Sequence, residues 1–140
     1  MSHTPIRIIL VDDHQLVRQS MGLMLETDKR FSIIKECDNG SDAIREANNL
    51  KPDVMLVDIN MHPVNGFEVV KEVLAHNPAV KIIAISVNNH ISYISKMLNL
   101  GASGYVTKGS PFDEISQAII QVHNGQQYLS ADIRNLSGLL

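Results

Sequence analysis

Cysteine is nearly absent. The 140 residues hold one, Cys37, so no internal disulfide can staple the fold. It sits in the apolar run "SIIKEC", where a small buried hydrophobe is expected rather than a nucleophile. Tryptophan is missing and neither sign of charge dominates: 12 basic against 15 acidic residues leave a formal charge of −3. That balance gives no sign of a nucleic-acid-binding surface within this chain. Long hydrophobic runs are absent too. After "MSHTPIR" only a short apolar stretch precedes Asp12, too short for a signal peptide or a membrane span. A soluble, cytoplasmic protein without membrane contact is therefore expected. No G-x-G-x-x-G follows the first strand-like run and no G-x-x-x-x-G-K-[ST] occurs, which removes support for dinucleotide and P-loop sites. A flavodoxin-type phosphate loop would place hydroxyls and glycines where this chain has "DDHQ". The six histidines, at 3, 14, 62, 76, 90 and 123, show no spacing typical of a metal site, so zinc is not expected.

What is present is an alternation of two periods. "IRIILV" (6–11) is short, β-branched and continuous, as a strand buried on both faces should be. "HQLVRQSMGLMLET" follows, with Leu16 and Leu23 on one helical row and Val17, Met21 and Met24 on its neighbour. Further strand-like runs cover 31–37, 54–58, 81–86 and 104–107, and helical stretches 41–50, 66–77, 91–100 and 112–124. The last carries Ile115, Ala118, Ile119 and Val122 at core spacing, with Ser110 as N-cap and Pro111 at the first helical position. Five βα units on short connections predict one α/β domain, a doubly wound parallel sheet with helices on both faces. It spans 1–125; residues 126–140 lose clear periodicity and read as a tail or linker.

In such a sheet, ligands collect at the carboxyl ends of the strands. Those ends supply Asp12 and Asp13, Asp58, Ser86, and Thr107 with Lys108. Each has a bland reading: a helix cap, a turn residue, a solvated lysine. Arriving together at four of five strand ends, they read as one site. Two unit charges about 4 Å apart repel by roughly 4 kcal/mol at an effective dielectric of 20. Three packed aspartates must hold a proton or recruit a cation. Hard oxygen donors without clustered His or Cys point to Mg²⁺ or a similar ion. With Lys108 and the Ser86 hydroxyl beside it, the rim suits phosphoryl transfer to a carboxylate.

The motifs "ILVDDH", "VMLVDINM" with "NG" after it, "IIAISV" and "GASGYVTK" resemble those of bacterial response-regulator receiver domains, over roughly residues 5 to 125. The resemblance implies a flavodoxin-like (βα)5 sheet in strand order 2-1-3-4-5. By position it also implies that Asp58 is the phosphoacceptor for a sensor histidine kinase. Asp12 and Asp13 would build the Mg²⁺ site with Asp58 and the backbone carbonyl of Asn60. Ser86 would be the switch hydroxyl, Tyr105 the switch aromatic that turns inward on phosphorylation, and Lys108 the lysine that pairs with the phosphoryl group. Such a domain catalyses only its own phosphorylation and dephosphorylation. The sequence "DDHQLVR", "GYVTKGSP" and "GQQYLS" is most similar to regulators carrying a LuxR-type helix-turn-helix. That implies transcriptional control through a DNA-binding domain outside these residues.

Two positions depart from the family pattern. His62 stands where a proline is usual, with Pro63 following, and Gly109 stands where a proline often follows the lysine. The fourth helical stretch is unusually apolar, with Ile91, Tyr93, Ile94, Met97, Leu98 and Leu100 around a single charge, Lys96. One face cannot bury all six, so a partner surface is expected there, a second receiver docking through the fourth and fifth helices. The alternative is a phosphorylation-independent interaction module on the same fold. A phosphoaspartate hydrolase fits less well, since Asn60 occupies the position where such an enzyme carries its acid/base carboxylate.

Overall fold

Short continuous β-branched runs alternate with amphipathic stretches, and in the computed structural model, which describes residues 4–87, 90–134 and 136, each becomes the element its period predicts. The chain runs β1 (Ile6–Val11), α1 (Gln15–Glu26), β2 (Phe31–Cys37), α2 (Gly40–Leu50), β3 (Val54–Asp58), α3 (Gly66–His76), β4 (Lys81–Ser86), α4 (Ile91–Asn99), β5 (Gly104–Thr107), α5 (Phe112–His123), β6 (Tyr128–Leu129) and α6 (Ala131–Arg134). All strand pairs are parallel, and the order is β2-β1-β3-β4-β5-β6. Two buried clusters fill the two faces of the sheet. Leu25 of α1 and Ile115, Ala118, Ile119 and Val122 of α5 pack on one side. Ala43 and Ala47 of α2, Val69, Val70 and Val73 of α3, and Ile94 and Met97 of α4 pack on the other. Strand order reverses between β1 and β3, which places the rim site at the topological switch point.

Local chemistry sets the element ends. Asn39 caps α2 by accepting from the Asp42 backbone N–H, and Asn65 with Glu68 forms a reciprocal capping box at α3. The α5 cap falls one residue later than expected, at Pro111 rather than Ser110; Asp113 and Glu114 lie in the first turn instead, where the helix dipole favours acids. Two glycines allow the β3–α3 connection to lie close to its neighbours. A Cβ on Gly66 would fall 2.6 Å from Ile59 Cα and 2.7 Å from the Asp58 carbonyl oxygen. One on Gly40 would fall 2.6 Å from the Val64 carbonyl oxygen.

The tail differs from its sequence reading. Residues 128–134 are no free linker: β6 adds a sixth parallel strand on β5, and Leu129 and Ile133 are buried in the same cluster as Ile94, Met97 and Tyr105. Glu114 ties the two parts, its Oε2 accepting from Tyr128 Oη and from the Ala131 N–H, each at 2.9 Å. Two residues are too short to show a period, so this strand left no trace in the sequence pattern.

Candidate functional site

Strand register brings the sequence-distant site residues together. Val11 of β1 pairs with Val57 of β3, so the next residues, Asp12 and Asp58, emerge side by side. Asp58 pairs in turn with Ile85, and Ser86 with Thr107, which puts Ser86 and Lys108 on the same rim. Strand spacing of about 4.8 Å then sets the scale on which their side chains meet.

Asp58 is the centre of this arrangement and is 1 % exposed. Its Oδ1 accepts from the Asn60 N–H at 3.2 Å. Its Oδ2 lies 3.3 Å from Lys108 Nζ but accepts no hydrogen bond from the described residues. Lys108 also pairs with Asp12 Oδ2 at 3.2 Å. Asp12 is buried, and Arg18 Nη1 holds its carbonyl oxygen at 2.8 Å. Asp13 is more exposed and completes the acidic group. Burial pushes the Asp58 carboxyl above its ordinary value, with repulsion from Asp12 adding to the shift, while the Asn60 N–H and Lys108 oppose it.

Ser86 is fully buried and hydrogen-bonds the Tyr105 hydroxyl. Burial raises the Tyr105 pKa, and that bond partly offsets the rise. Tyr105 is itself fully buried. The Asn60 N–H turns back to Asp58, and the Asn60 side is open to solvent. The two departures are local. The His62–Pro63 bond is cis, and no atom of the described residues lies within 4 Å of where a Gly109 Cβ would sit. Cys37 is buried, and desolvation raises its thiol pKa to about 11, as fits a packing residue.

Two features escaped the sequence reading. The first is His14, passed over because no second histidine lies at ligand spacing. Its backbone N–H donates to Asp12 Oδ1 at 2.8 Å, and this turn swings the ring over the carboxylates. Its Nδ1 lies 3.0 Å from Asp12 Oδ1 and 3.2 Å from Asp13 Oδ1. Asp12, Asp13, His14 and Asp58 offer ligand atoms all within 4.8 Å of one another. The second is the outer face of α1. Leu16 is 78 % and Leu23 70 % exposed, so their row faces out, while Gly22 and Leu25 face the core and Met21 packs against it. Leu16, Val17, Met21 and Met24 form, with Phe112 and Ile115, a groove of about 370 Å³ that reaches Lys108. The signal was available: α1 has more apolar positions than one face can bury.

The family model described as "response regulator receiver domain" matches residues 8–120. The chain is 37% identical over 128 residues to the response regulator GacA of Pseudomonas viridiflava, covering 91% of this chain and 60% of that protein. It is 33% identical over 129 residues to the transcriptional regulatory protein DegU of Brevibacillus brevis, covering 92% of this chain and 55% of that protein. This chain thus spans little more than half the length of these relatives. The crystal structure of a LuxR-family two-component response regulator from Aurantimonas superposes with a TM-score of 0.90 at 29% identity, covering 94% of each chain. Among the described residues no helix is long and apolar enough to cross a membrane.

Proposed function

The chain belongs to the response-regulator receiver family, and on that premise we propose that it is a switch in which Asp58 accepts a phosphoryl group from a phosphohistidine of a sensor kinase, with Mg²⁺ at the rim. The observation that carries this reading is the state of Asp58: a fully buried carboxylate, ion-paired to Lys108, with one oxygen that accepts no hydrogen bond from the described residues. Buried carboxylates are otherwise almost always fully partnered. Asp12 and Asp13 converge with that oxygen to supply the hard donors a divalent ion takes. Asp12, Asp13 and Asp58, with the Asn60 carbonyl, would hold it. When bound, the ion supplies positive charge that keeps Asp58 ionised and offsets the charge of the incoming phosphoryl group.

The chain's own residues do the rest. One carboxylate oxygen of Asp58 attacks phosphorus, the P–N bond to the donor breaks, and the leaving imidazole nitrogen keeps the electron pair. Lys108 meets the transferred phosphoryl oxygens as a point charge, and Ser86 donates its hydroxyl to one of them. Ser86 already bonds Tyr105, so drawing its hydroxyl toward a phosphoryl group takes it from that partner and alters the α4–β5–α5 face. Asn60 offers no carboxylate to activate water, so the acyl phosphate persists. The activity stays self-directed, phosphorylation and dephosphorylation of Asp58 itself. The groove on α1 ends at Lys108, and a donor helix seated there would present its histidine to the rim. Output passes to a DNA-binding domain outside these residues, in the cytoplasm, with a receiver homodimer using the open part of α4 and α5.

The test is intact-protein mass after incubation with acetyl phosphate, with Mg²⁺ or with EDTA, beside Asp58→Ala. One added phosphoryl that needs both Mg²⁺ and Asp58 is expected. No adduct in any arm would move the weight to a phosphorylation-independent interaction module.

A further inference from the structure

His14 stands among the site carboxylates without a role in the chemistry above. Its Nδ1 lies 3.0 Å from Asp12 Oδ1, 3.2 Å from Asp13 Oδ1 and 3.7 Å from Asp58 Oδ2, with Lys108 Nζ at 3.2 Å. A ring nitrogen carries at most one proton and cannot donate to three oxygens. Nor can it both donate to Asp12 and accept from Lys108. One cation placed between the ring nitrogen and the three carboxylate oxygens satisfies these four acceptors together, leaving the Lys108 ammonium to the outer carboxylate oxygens. Ligands bonded to one ion at about 2.0–2.1 Å lie about 2.9–3.0 Å apart at octahedral angles and about 3.3 Å apart at tetrahedral ones. The Nδ1 distances to Asp12 and Asp13 match the edge lengths of such a polyhedron, and the 3.7 Å to Asp58 would fit a wider angle. An independent observation points the same way: the completely buried Asp58 Oδ2, aimed into the cluster and 3.3 Å from Lys108 Nζ, accepts no hydrogen bond from the described residues.

We propose that His14 Nδ1 is a fourth protein ligand of the rim cation, so that this site takes a first-row transition ion such as Mn²⁺ or Co²⁺ more tightly than Mg²⁺. The inference rests on the rim being a cation site, and it adds a nitrogen donor to an otherwise all-oxygen set. Imidazole suits transition ions, whereas Mg²⁺ strongly favours oxygen. Because His14 is well exposed and belongs to no core cluster, its removal should leave the fold intact.

The test uses the tag-free protein and reads binding directly. Co²⁺ is titrated by its visible absorption and Mg²⁺ by calorimetry, in wild type, His14→Ala and Asp13→Asn. His14→Ala should weaken Co²⁺ by at least about tenfold, since even outer-shell partners of metal sites cost that much, and change Mg²⁺ affinity by less than about threefold. Asp13→Asn should weaken both ions. In Mn²⁺-loaded protein, pulsed EPR should show nitrogen coupling that His14→Ala abolishes and His62→Ala preserves. If both ions bind and His14→Ala leaves Co²⁺ affinity unchanged or raises it, the ring is a counter-ion and the assignment is overturned. Equal losses for both ions overturn it as well. If wild type binds neither ion, the cation-site reading falls, and the histidine assignment with it.

Discussion

Replacing Asp58 with asparagine should stabilise the protein in the absence of divalent ions. The side chain is buried, so its ionised form gives up most of its hydration, an effective cost of several kcal/mol. Lys108 at 3.3 Å returns about 5 kcal/mol at an effective dielectric of 20. Asp12 offers an oxygen within 4.8 Å and takes back about 3.5 kcal/mol on the same scale. Asp13 adds a smaller, more screened repulsion. The Coulomb terms therefore nearly cancel, and the hydrogen bond from Asn60 offsets only part of the desolvation. Asparagine keeps the shape and removes the charge. A net gain of about 1–2 kcal/mol is expected, or roughly 3–6 °C in Tm for a chain of this length.

The pH dependence follows from the direction of the Asp58 shift. Its pKa is raised by burial from the ordinary 3.8, so the folded protein holds this proton more tightly than the unfolded chain does. Below the unfolded value both states carry the proton and the difference between wild type and Asp58→Asn vanishes. The wild-type deficit grows as pH rises through the raised folded pKa and is complete above it. Thermal unfolding of both proteins in EDTA, from pH 4 to pH 8, measures the difference directly. Saturating Mg²⁺ should then reverse the order, because a ligand at 100 times its Kd adds about 2.7 kcal/mol to the form that binds it. A variant less stable than wild type at neutral pH in EDTA would refute the claim that charge at Asp58 is held at a net cost.

Gly66→Ala should destabilise by about 1–3 kcal/mol, the range for overpacking a tight contact, because its Cβ would fall 2.6 Å from Ile59 Cα. Urea unfolding measures the loss. Acetyl phosphate labelling should slow in parallel, since the displaced backbone begins at Asp58. Ile133→Ala should cost about 2–4 kcal/mol as a large-to-small change at a fully buried site. Hydrogen exchange should quicken in β5 and β6 while β1 and β3 stay protected; uniform protection would mean that the tail is not part of the core.

The sheet was legible in the sequence because parallel strands are buried on both faces and read as unbroken apolar runs. "IRIILV" and "VMLVD" show this directly. The carboxylates, Ser86 and Lys108 were legible because a site at strand ends can be read by listing the last residue of each run. What escaped depends on direction or brevity. Periodicity says that Leu16 and Leu23 share a row on α1 but not that the row faces out; the competing apolar position, Leu25, takes the core. His14 escaped because metal spacing was sought between histidines, whereas the turn closed by its N–H on Asp12 sets its ring beside carboxylates.

The six apolar residues between 91 and 100 are more than one face can bury, and the structure divides them. Ile94 and Met97 are buried, and the cluster they join also takes up Leu129 and Ile133 from the tail, with Leu136 packed against it. Part of what the sequence offered to another molecule is thus met by the chain itself. β6 also pairs the edge of β5, with the Tyr128 N–H on Ser103 O at 3.0 Å and the Ser130 N–H on Tyr105 O at 3.1 Å. An open edge would otherwise invite strand addition. Ile91 and Tyr93 remain exposed on α4, Tyr93 resting edge-on against Phe67 with ring centroids 5.5 Å apart. The homodimer proposed above would therefore have only this narrower strip of α4, beside a tail that Thr107, the neighbour of Lys108, holds through Asp132 at 3.0 Å. The strand that ends beside the site lysine is also the strand that pairs with the tail, so displacement of the tail and rearrangement at the rim act on the same few residues.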